Sequence, residues 1–216
     1  MAKLKLCVLI SGRGSNLQSL IDACADDNYP AKVVLVISNV DKVPGLERAK
    51  AAGIQTLVFD KKTFKNSKDL DSAMNEAIEP FNVNLICLAG YMRILSDNFV
   101  DQWQDRMINI HPSLLPSFKG LNVQQRAIDA GVRFSGCTVH YVRRDMDTGP
   151  IIVQAVVPVL NNDDSETLEA RILEQEHKIY PLAISLIAQG RTTINDERVL
   201  IESEVDLSET LINPMG

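Results

Sequence analysis

The chain has 216 residues, of which 45% are hydrophobic and 23% are charged, and its formal net charge is −6. This length favours one globular unit that buries a core without help from metals or disulfides. With 28 acidic against 22 basic residues, the composition argues against a protein whose main function is to bind nucleic acid, because such proteins carry an excess of basic residues. No apolar run approaches the roughly 18 residues of a membrane span, so we expect neither a nucleic-acid nor a membrane partner.

The first half of the chain alternates short apolar runs with amphipathic segments. The apolar runs predict strands over residues 4–10, 33–38, 56–59 and 85–89, and the amphipathic segments predict helices over 16–25, 46–52 and 68–78. Strands that alternate with helices are typical of parallel strands joined by right-handed crossovers. We therefore predict a doubly wound α/β fold with a mostly parallel, Rossmann-like sheet.

The second half has a different pattern. A strand is predicted over 107–111 and a helix over 123–130, and two strand-like runs over 136–143 and 151–159 predict an antiparallel extension of the sheet. A long C-terminal helix begins at Asp164 or Ser165 and ends at Gly190, with a kink expected at Pro181. Residues 192–201 predict a small hairpin, and we expect the last dozen residues, which are polar, to be loose.

The cysteines and the N-terminus favour a reducing, cytoplasmic location. The four cysteines lie far apart without C-x-x-C spacing, so we expect reduced thiols and neither a disulfide nor a metal site. The apolar run that ends at Ile10 is too short for a signal-peptide core.

The segment from Ser11 to Asn16, with the sequence SGRGSN, joins the first predicted strand to the first predicted helix. Its glycines let the backbone approach a ligand, and the N-terminus of the helix offers N–H groups to an anion. Leu17 occupies the third glycine position of a dinucleotide fingerprint, and no Gly-Lys-Ser/Thr follows as in a P-loop. The segment predicts a small phosphate site; the plainer alternative is a tight strand–helix turn.

Asn109 and His111 lie two residues apart at the end of a predicted strand, so their side chains share a face. The carboxyl ends of parallel strands face the crevice where such sheets bind ligands. An amide donor beside an imidazole suits the stabilisation of an oxyanion and a proton transfer. A hydrogen-bonded structural histidine at the end of a strand is the alternative.

Thr138 and His140 share a face of a later predicted strand, and Asp147 lies in the loop that follows. A loop carboxylate within reach of His111 would hold the imidazole ring. Asp147 precedes Thr-Gly-Pro and could equally be a turn residue, and Asp145 is a competitor for the catalytic role. The residues alone leave this choice open.

Five motifs in this order resemble the folate-dependent formyltransferases, and within that family the enzymes that formylate glycinamide ribonucleotide in purine biosynthesis. They are SGRGSN at 11–16, LAGYMRIL at 88–95, NIHPSLLP at 109–116, GCTVH at 136–140 and DTGP at 147–150. The resemblance covers roughly residues 4–190. It implies that the glycyl amine attacks the formyl carbon of 10-formyltetrahydrofolate directly, through a tetrahedral intermediate and without a metal.

The resemblance also implies roles for individual residues. Asn109 and His111 would stabilise the oxyanion, while Asp147 would position His111 and help to relay the amine proton. The substrate-binding residues would be Gly14, Ser15 and Asn16 at the phosphate and Glu176 at the ribose or glycinamide end. The folate-binding residues would be Met92, Arg93, Ile94, Leu95, Val100 and the loop with Asp145. Thr138 and His140 would support the site.

We expect a single domain over 1–216, with a ribonucleotide-binding half over 1–106, a catalytic and folate-binding half over 107–190 and a tail hairpin over 191–216. The sequence leaves monomer and homodimer open. The chain departs from the family pattern at Asn122 in a loop that often carries histidines, at Arg143 and Arg144 where many relatives are acidic, and at Leu173 where a glutamine can assist.

Three other functions fit parts of this pattern. Methionyl-tRNA formyltransferases share the catalytic set but add a tRNA-binding domain, for which this chain leaves no room, and the net charge of −6 disfavours a polyanion. Formyltetrahydrofolate deformylases carry an N-terminal regulatory domain, and the first strand here begins at Leu4. A non-catalytic nucleotide-binding module would leave Asn109, His111 and Asp147 as a coincidence.

Overall fold

The computed structural model describes residues 2–202 and residue 213. The strands are β1 Leu4–Ile10, β2 Ala31–Ser38, β3 Gln55–Val58, β4 Leu85–Leu88, β5 Met107–His111, β6 Phe134–Tyr141, β7 Ile151–Pro158, β8 Thr192–Asn195 and β9 Arg198–Ile201. The α-helices are α1 Ser15–Cys24, α2 Pro44–Ala51, α3 Ser67–Ile78, α4 Asp97–Gln102, α5 Val123–Asp129 and α6 Ser165–Ala188, and two 3₁₀ turns span Lys61–Thr63 and Glu79–Phe81.

A seven-stranded sheet has the order β3-β2-β1-β4-β5-β6-β7. The strands from β3 to β5 pair in parallel, whereas β6 pairs antiparallel with both β5 and β7. This arrangement confirms the predicted doubly wound, mostly parallel sheet with an antiparallel extension. Because β1 lies between β2 and β4, the order of the strands reverses at β1, and a crevice opens beyond the carboxyl ends of β1 and β4.

Helices cover both faces of the sheet because its central strands are apolar on both sides. In β1, Leu6 and Val8 pack in a core with helices α1, α2, α5 and α6. The alternate residues Cys7 and Leu9 pack in a second core with α3 and α4. This period of two divides the strand between two hydrophobic layers and fixes its register.

The long helix α6 begins and ends as the sequence predicts. Asp164 caps its first turn by accepting a hydrogen bond from the Thr167 amide, and the Thr167 side chain bonds back to the Asp164 amide. The helix continues through Pro181, and Gly190 follows it with a φ of 69°, a left-handed conformation that glycine adopts without strain.

The predicted tail hairpin is present as β8 and β9, which pair antiparallel. The expectation for the last dozen residues lies outside the residues that the structure describes, apart from Asn213. All four cysteines are free thiols. Within residues 2–202, no helix has both the length and the apolar character needed to cross a membrane.

Helix α4 is absent from the sequence prediction. Ser96 caps it through the Phe99 amide, and the helix buries Phe99 and Val100. With six residues, it is too short to display a helical period, and tertiary burial of these two side chains stabilises it instead. The other predicted elements are present, with ends displaced by one or two residues.

Candidate active site

A cleft of about 680 Å³ lies at the carboxyl edge of the sheet. Its walls are the loop after β1, the segment after β4, the end of β5, the loop after β6 and one side of α6. All of the site residues predicted from the sequence line this cleft except Thr138. Residues that are up to 165 positions apart in the chain, from Ser11 to Glu176, therefore meet in one place.

The loop after β1 is shaped by close glycine packing. Gly14 has a φ of 71°, and a Cβ atom there would lie 2.6 Å from the Cα of Gly45 at the start of α2. The Gly45 amide donates to the carbonyl of Gly12 at 3.1 Å. This contact sets the start of α1, whose first-turn N–H groups lack intrahelical partners. Ser15 and Asn16 present that turn to the cleft, as anion binding at a helix N-terminus requires.

Asn16 and Glu176 form a buried pair beside this loop. The Asn16 amide Nδ2 donates to Oε2 of Glu176 at 2.7 Å, and the two residues are only 9% and 6% exposed. Burial raises the pKa of the Glu176 carboxyl above its usual value. Among the described residues, Oδ1 of Asn16 has no hydrogen-bond partner. A buried acceptor without a partner is costly, so this oxygen suits a donor group on a ligand.

The antiparallel pairing of β5 with β6 brings the predicted polar residues together. The register places Asn109 opposite His140 and His111 opposite Thr138. His140 donates from Nδ1 to the Tyr141 carbonyl at 2.8 Å, which leaves Nε2 as an acceptor for the Asn109 amide at 3.3 Å. Burial lowers the pKa of His140 and favours this neutral form. His140 therefore orients the Asn109 side chain.

His111 and Asp147 lie in contact at the centre of the cleft. Nε2 of His111 donates to the Phe118 carbonyl at 3.0 Å, and Nδ1 lies 3.6 Å from Oδ1 of Asp147. The other Asp147 oxygen accepts from the Gly120 amide at 2.9 Å. Asp147 has a φ of 53°, a left-handed conformation that aspartate tolerates better than most residues. This turn directs the carboxylate at His111, whereas Asp145 is exposed.

Thr138 supports the loop that follows β5. Its hydroxyl donates to the Ser113 carbonyl at 2.7 Å and accepts from the Leu115 amide at 3.1 Å. The Gln154 side chain donates to the same oxygen at 2.9 Å. Thr138 is fully buried and does not line the cleft.

The mouth of the cleft is apolar. Met92 and Ile94 from the segment after β4 are 70% and 74% exposed, and Leu121 and Met146 on two other loops are 73% and 56% exposed. Exposed apolar side chains that gather at a cavity are typical of a ligand surface. Leu95 and Val100 complete the lining behind them.

The arginines near the cleft already have carboxylate partners. The Arg93 guanidinium pairs with the buried Asp71, Arg144 pairs with Asp101 at 2.5 Å, and Arg143 pairs with both Asp105 and Glu197. These partners, which the sequence prediction did not include, lie 22 to 54 residues away in the chain. Asp71, for example, lies on α3, and no local pattern in the sequence indicates that it pairs with Arg93.

Comparisons with known proteins identify a family and several similar proteins. The model of the family described as "Formyl transferase" matches residues 4–184. The chain is 46% identical over 200 residues to "Phosphoribosylglycinamide formyltransferase" of Haemophilus influenzae, covering 93% of this chain and 94% of that protein. It is 50% identical over 194 residues to "Trifunctional purine biosynthetic protein adenosine-3" of Bos taurus. This alignment covers 90% of this chain but only 19% of that longer protein.

Solved structures give the same result. The glycinamide ribonucleotide transformylase 1 of Symbiobacterium toebii superposes with a TM-score of 0.90 at 46% identity, covering 92% of this chain and 94% of that one. The phosphoribosylglycinamide formyltransferase of Anaplasma phagocytophilum has a TM-score of 0.87 at 45% identity, with 95% and 97% of the two chains covered.

Proposed function

The chain belongs to the formyl transferase family, and from this premise we propose that it transfers a formyl group from 10-formyltetrahydrofolate to the amine of glycinamide ribonucleotide in purine biosynthesis. The observation that carries the proposal is the convergence of Asn109, His111 and Asp147 in one cleft, between a phosphate-type loop and an apolar mouth. The proteins of nearly equal length that it resembles are named for formyl transfer to phosphoribosylglycinamide, and 10-formyltetrahydrofolate as the donor is part of the proposal.

The reaction forms one bond and breaks one. The amine nitrogen of the ribonucleotide bonds to the formyl carbon, and the bond from that carbon to N10 of the folate breaks. Between these events the carbon is tetrahedral and its oxygen carries negative charge. The amine loses a proton and N10 gains one, so the protein has to stabilise an oxyanion and move a proton.

Asn109 is the oxyanion donor in this proposal. Its amide nitrogen is oriented by His140, and a donor fixed in advance needs no reorganisation when the charge develops. His111 lies on the same face of β5, two residues along. In its protonated form it adds positive charge beside the oxyanion, and its hydrogen bond to the Phe118 carbonyl holds the ring.

Asp147 positions His111 and accepts the amine proton, through water, in this proposal. Its Oδ1 atom lies 3.6 Å from Nδ1 of His111 and 4.0 Å from Nε2 of His140. Its bond to the Gly120 amide keeps the carboxylate at this point. Catalytic pairs of this kind often lie slightly apart before the substrate binds and tighten in the reacting complex.

The two ends of the cleft fit the two substrates. The first turn of α1, at Gly14, Ser15 and Asn16, would bind the phosphate. Glu176 and the unpartnered oxygen of Asn16 would take hydroxyl or amine groups of the ribose and glycinamide. The exposed side chains of Met92 and Ile94, with Leu95 and Val100, would cover the flat pterin of the donor, and Asp145 lies in the loop at its edge.

Several predictions from the sequence complete this proposal. They are the single domain over 1–216, the cytoplasmic location, and the absence of metal, nucleic-acid and membrane partners. The proposed site does not follow the predicted division at residue 106, because Met92 to Val100 would bind the folate and Glu176 the ribonucleotide. The chain spans only 19% of the trifunctional relative from Bos taurus, so the activity proposed is that of the formyl transfer unit alone.

Purified protein with both substrates tests the proposal. We expect deformylated folate to appear only when glycinamide ribonucleotide is present, with one formylated ribonucleotide formed for each folate released. Release of folate without the ribonucleotide would identify a hydrolase. No release under either condition would contradict the proposal.

A further inference from the structure

The segment from Tyr91 to Leu95, which forms one wall of the apolar mouth, lies between β4 and α4 without regular secondary structure. Among the described residues, none of its backbone groups bonds to another backbone group. Such a segment is usually mobile, and a binding surface is effective only when it is held in the bound geometry. Tyr91 and Leu95 pack against the second core, and the Met92 and Ser96 amides donate hydrogen bonds to side chains elsewhere in the chain.

Ser11 holds the beginning of this segment. The Met92 amide donates to the Ser11 hydroxyl oxygen at 2.8 Å, and the hydroxyl proton goes to Oδ1 of Asn39. A hydroxyl has one proton and two lone pairs, so Asn39 fixes the direction in which Ser11 accepts. The three residues follow the neighbouring strands β2, β1 and β4 and form one chain of hydrogen bonds across the carboxyl edge of the sheet.

Asp71 holds the other end. This buried residue of α3 accepts from the Ser96 amide at 2.8 Å through Oδ2, while its other oxygen pairs with Arg93. The Arg93 Nε atom donates to the Tyr91 hydroxyl at 3.1 Å. The segment is thus fixed on both sides, and Met92 and Ile94 are left exposed to the cleft.

We propose that Ser11 is a positioning residue for the formyl donor: its hydroxyl, directed by Asn39, holds the Met92 amide and sets the donor-binding wall in place. The inference rests on the proposed function, which supplies the folate that this wall would bind. Ser11 is the first residue of the SGRGSN segment, but the residues proposed to bind the phosphate are Gly14, Ser15 and Asn16, and among the described residues the Ser11 hydroxyl bonds to Asn39 and Met92 alone. Removing the Ser11 hydroxyl should therefore affect the part of the cleft that would bind the formyl donor.

The test compares Ser11→Ala with Ser11→Thr, which keeps a hydroxyl. Because one neutral hydrogen bond is lost, we expect Ser11→Ala to raise the KM for the donor and the Kd for tetrahydrofolate by about 3- to 10-fold. The KM for the ribonucleotide and kcat are expected to stay at the wild-type level. Ser11→Thr is expected to restore the donor KM. Ser185→Ala, on α6 outside the cleft lining, is the control and should change none of these.

Amide hydrogen exchange at Met92, followed by NMR, gives a measurement that needs no substrate. We expect the Met92 amide to exchange faster in Ser11→Ala than in the wild type and at the wild-type rate in Ser11→Thr. A wild-type donor KM in Ser11→Ala, or an equal rise in the KM of both substrates, would overturn the positioning role. A wild-type protein that neither binds tetrahydrofolate nor transfers formyl would instead contradict the proposed function, and the donor role of Ser11 with it.

Discussion

Asn109 and His140 lie opposite each other on β5 and β6, and the amide nitrogen of Asn109 is 3.3 Å from Nε2 of His140. The histidine can accept this hydrogen bond because its only proton is held at Nδ1 by the Tyr141 carbonyl. A protonated His140 ring would present an N–H group to the Asn109 N–H, and two donors cannot form a hydrogen bond with each other. The geometry of the oxyanion donor therefore depends on a neutral neighbour.

Replacing His140 with phenylalanine removes this acceptor while the ring remains. We expect kcat to fall about 10-fold, since the Asn109 amide loses its orientation, and the free energy of unfolding to fall by about 1–3 kcal/mol because a buried donor loses its partner. Steady-state kinetics and urea unfolding at pH 7.5 measure the two effects. A variant with the wild-type kcat would show that His140 does not orient Asn109.

The same histidine makes a prediction for pH. Its pKa in the folded protein is lowered from 6.5 by burial, so the unfolded chain binds the proton more tightly. Neutral His140 therefore adds to the free energy of unfolding above pH 6.5, and this contribution is lost as the pH falls through the pKa of the folded state. Unfolding experiments from pH 7.5 down to pH 5 should show a smaller loss of stability for His140→Phe than for the wild type. Equal losses would contradict the assignment.

Asp147→Asn and Asp145→Asn form a matched pair two residues apart. Asp147 faces His111 and bonds to the Gly120 amide, whereas Asp145 is exposed. We expect Asp147→Asn to fold normally and to lose about 100- to 10,000-fold in kcat, the range for a lost acid–base group. Asp145→Asn should keep its turnover. Circular dichroism checks the fold, and the reverse result would transfer the catalytic role to Asp145.

Gly14→Ala tests the packing of the phosphate loop, with Gly53→Ala as its control. Both glycines have a φ near 70°, but an added Cβ meets Gly45 at 2.6 Å in the first case and open space in the second. The left-handed conformation alone costs an alanine about 1–2 kcal/mol. Gly53→Ala should lose that amount of stability, and Gly14→Ala should lose more.

The kinetics of the same pair should also differ. We expect Gly14→Ala to raise the KM for the ribonucleotide because the start of α1 has to shift, and Gly53→Ala to leave it unchanged. Urea unfolding and steady-state kinetics measure both quantities. Equal losses of stability and equal KM values in the two variants would show that the Gly14–Gly45 contact has no role.

Glu176→Gln should stabilise the protein and weaken substrate binding. Burial raises the pKa of Glu176 above 4.5, so its ionised form destabilises the folded state once the pH rises through the folded pKa. The variant should therefore unfold at a higher urea concentration at pH 7.5, and the difference should disappear below about pH 4.

The loss of a charge-assisted hydrogen bond should raise the ribonucleotide KM of Glu176→Gln by about 10- to 100-fold. Glu174→Gln, at an exposed position of the same helix, is the control for both measurements. A Glu176→Gln protein that is less stable than the wild type at pH 7.5 would mean that the ionised carboxylate is not a cost to folding.

The parts of this molecule that could be predicted from the sequence are those governed by local pattern. Apolar runs identified the strands, and the spacing of Asn109 and His111 placed both on one face. From the residues alone the choice between Asp147 and Asp145 stayed open, because it depends on a left-handed turn that either aspartate could have adopted, and the family resemblance was what pointed to Asp147. The partners of Arg143, at Asp105 and Glu197, depend on tertiary contacts that no local pattern encodes.

The lining of the cleft also has a consequence for folding. It is drawn from segments that extend from Ser11 to Glu176, so a chain that lacks any one of them has no complete binding surface. Ligands must then bind the native state and not its partly folded forms. A substrate analogue at about 100 times its Kd should add about 2.7 kcal/mol to the stability of the whole protein, and this gain should appear as resistance to proteolysis far from the cleft as well as within it.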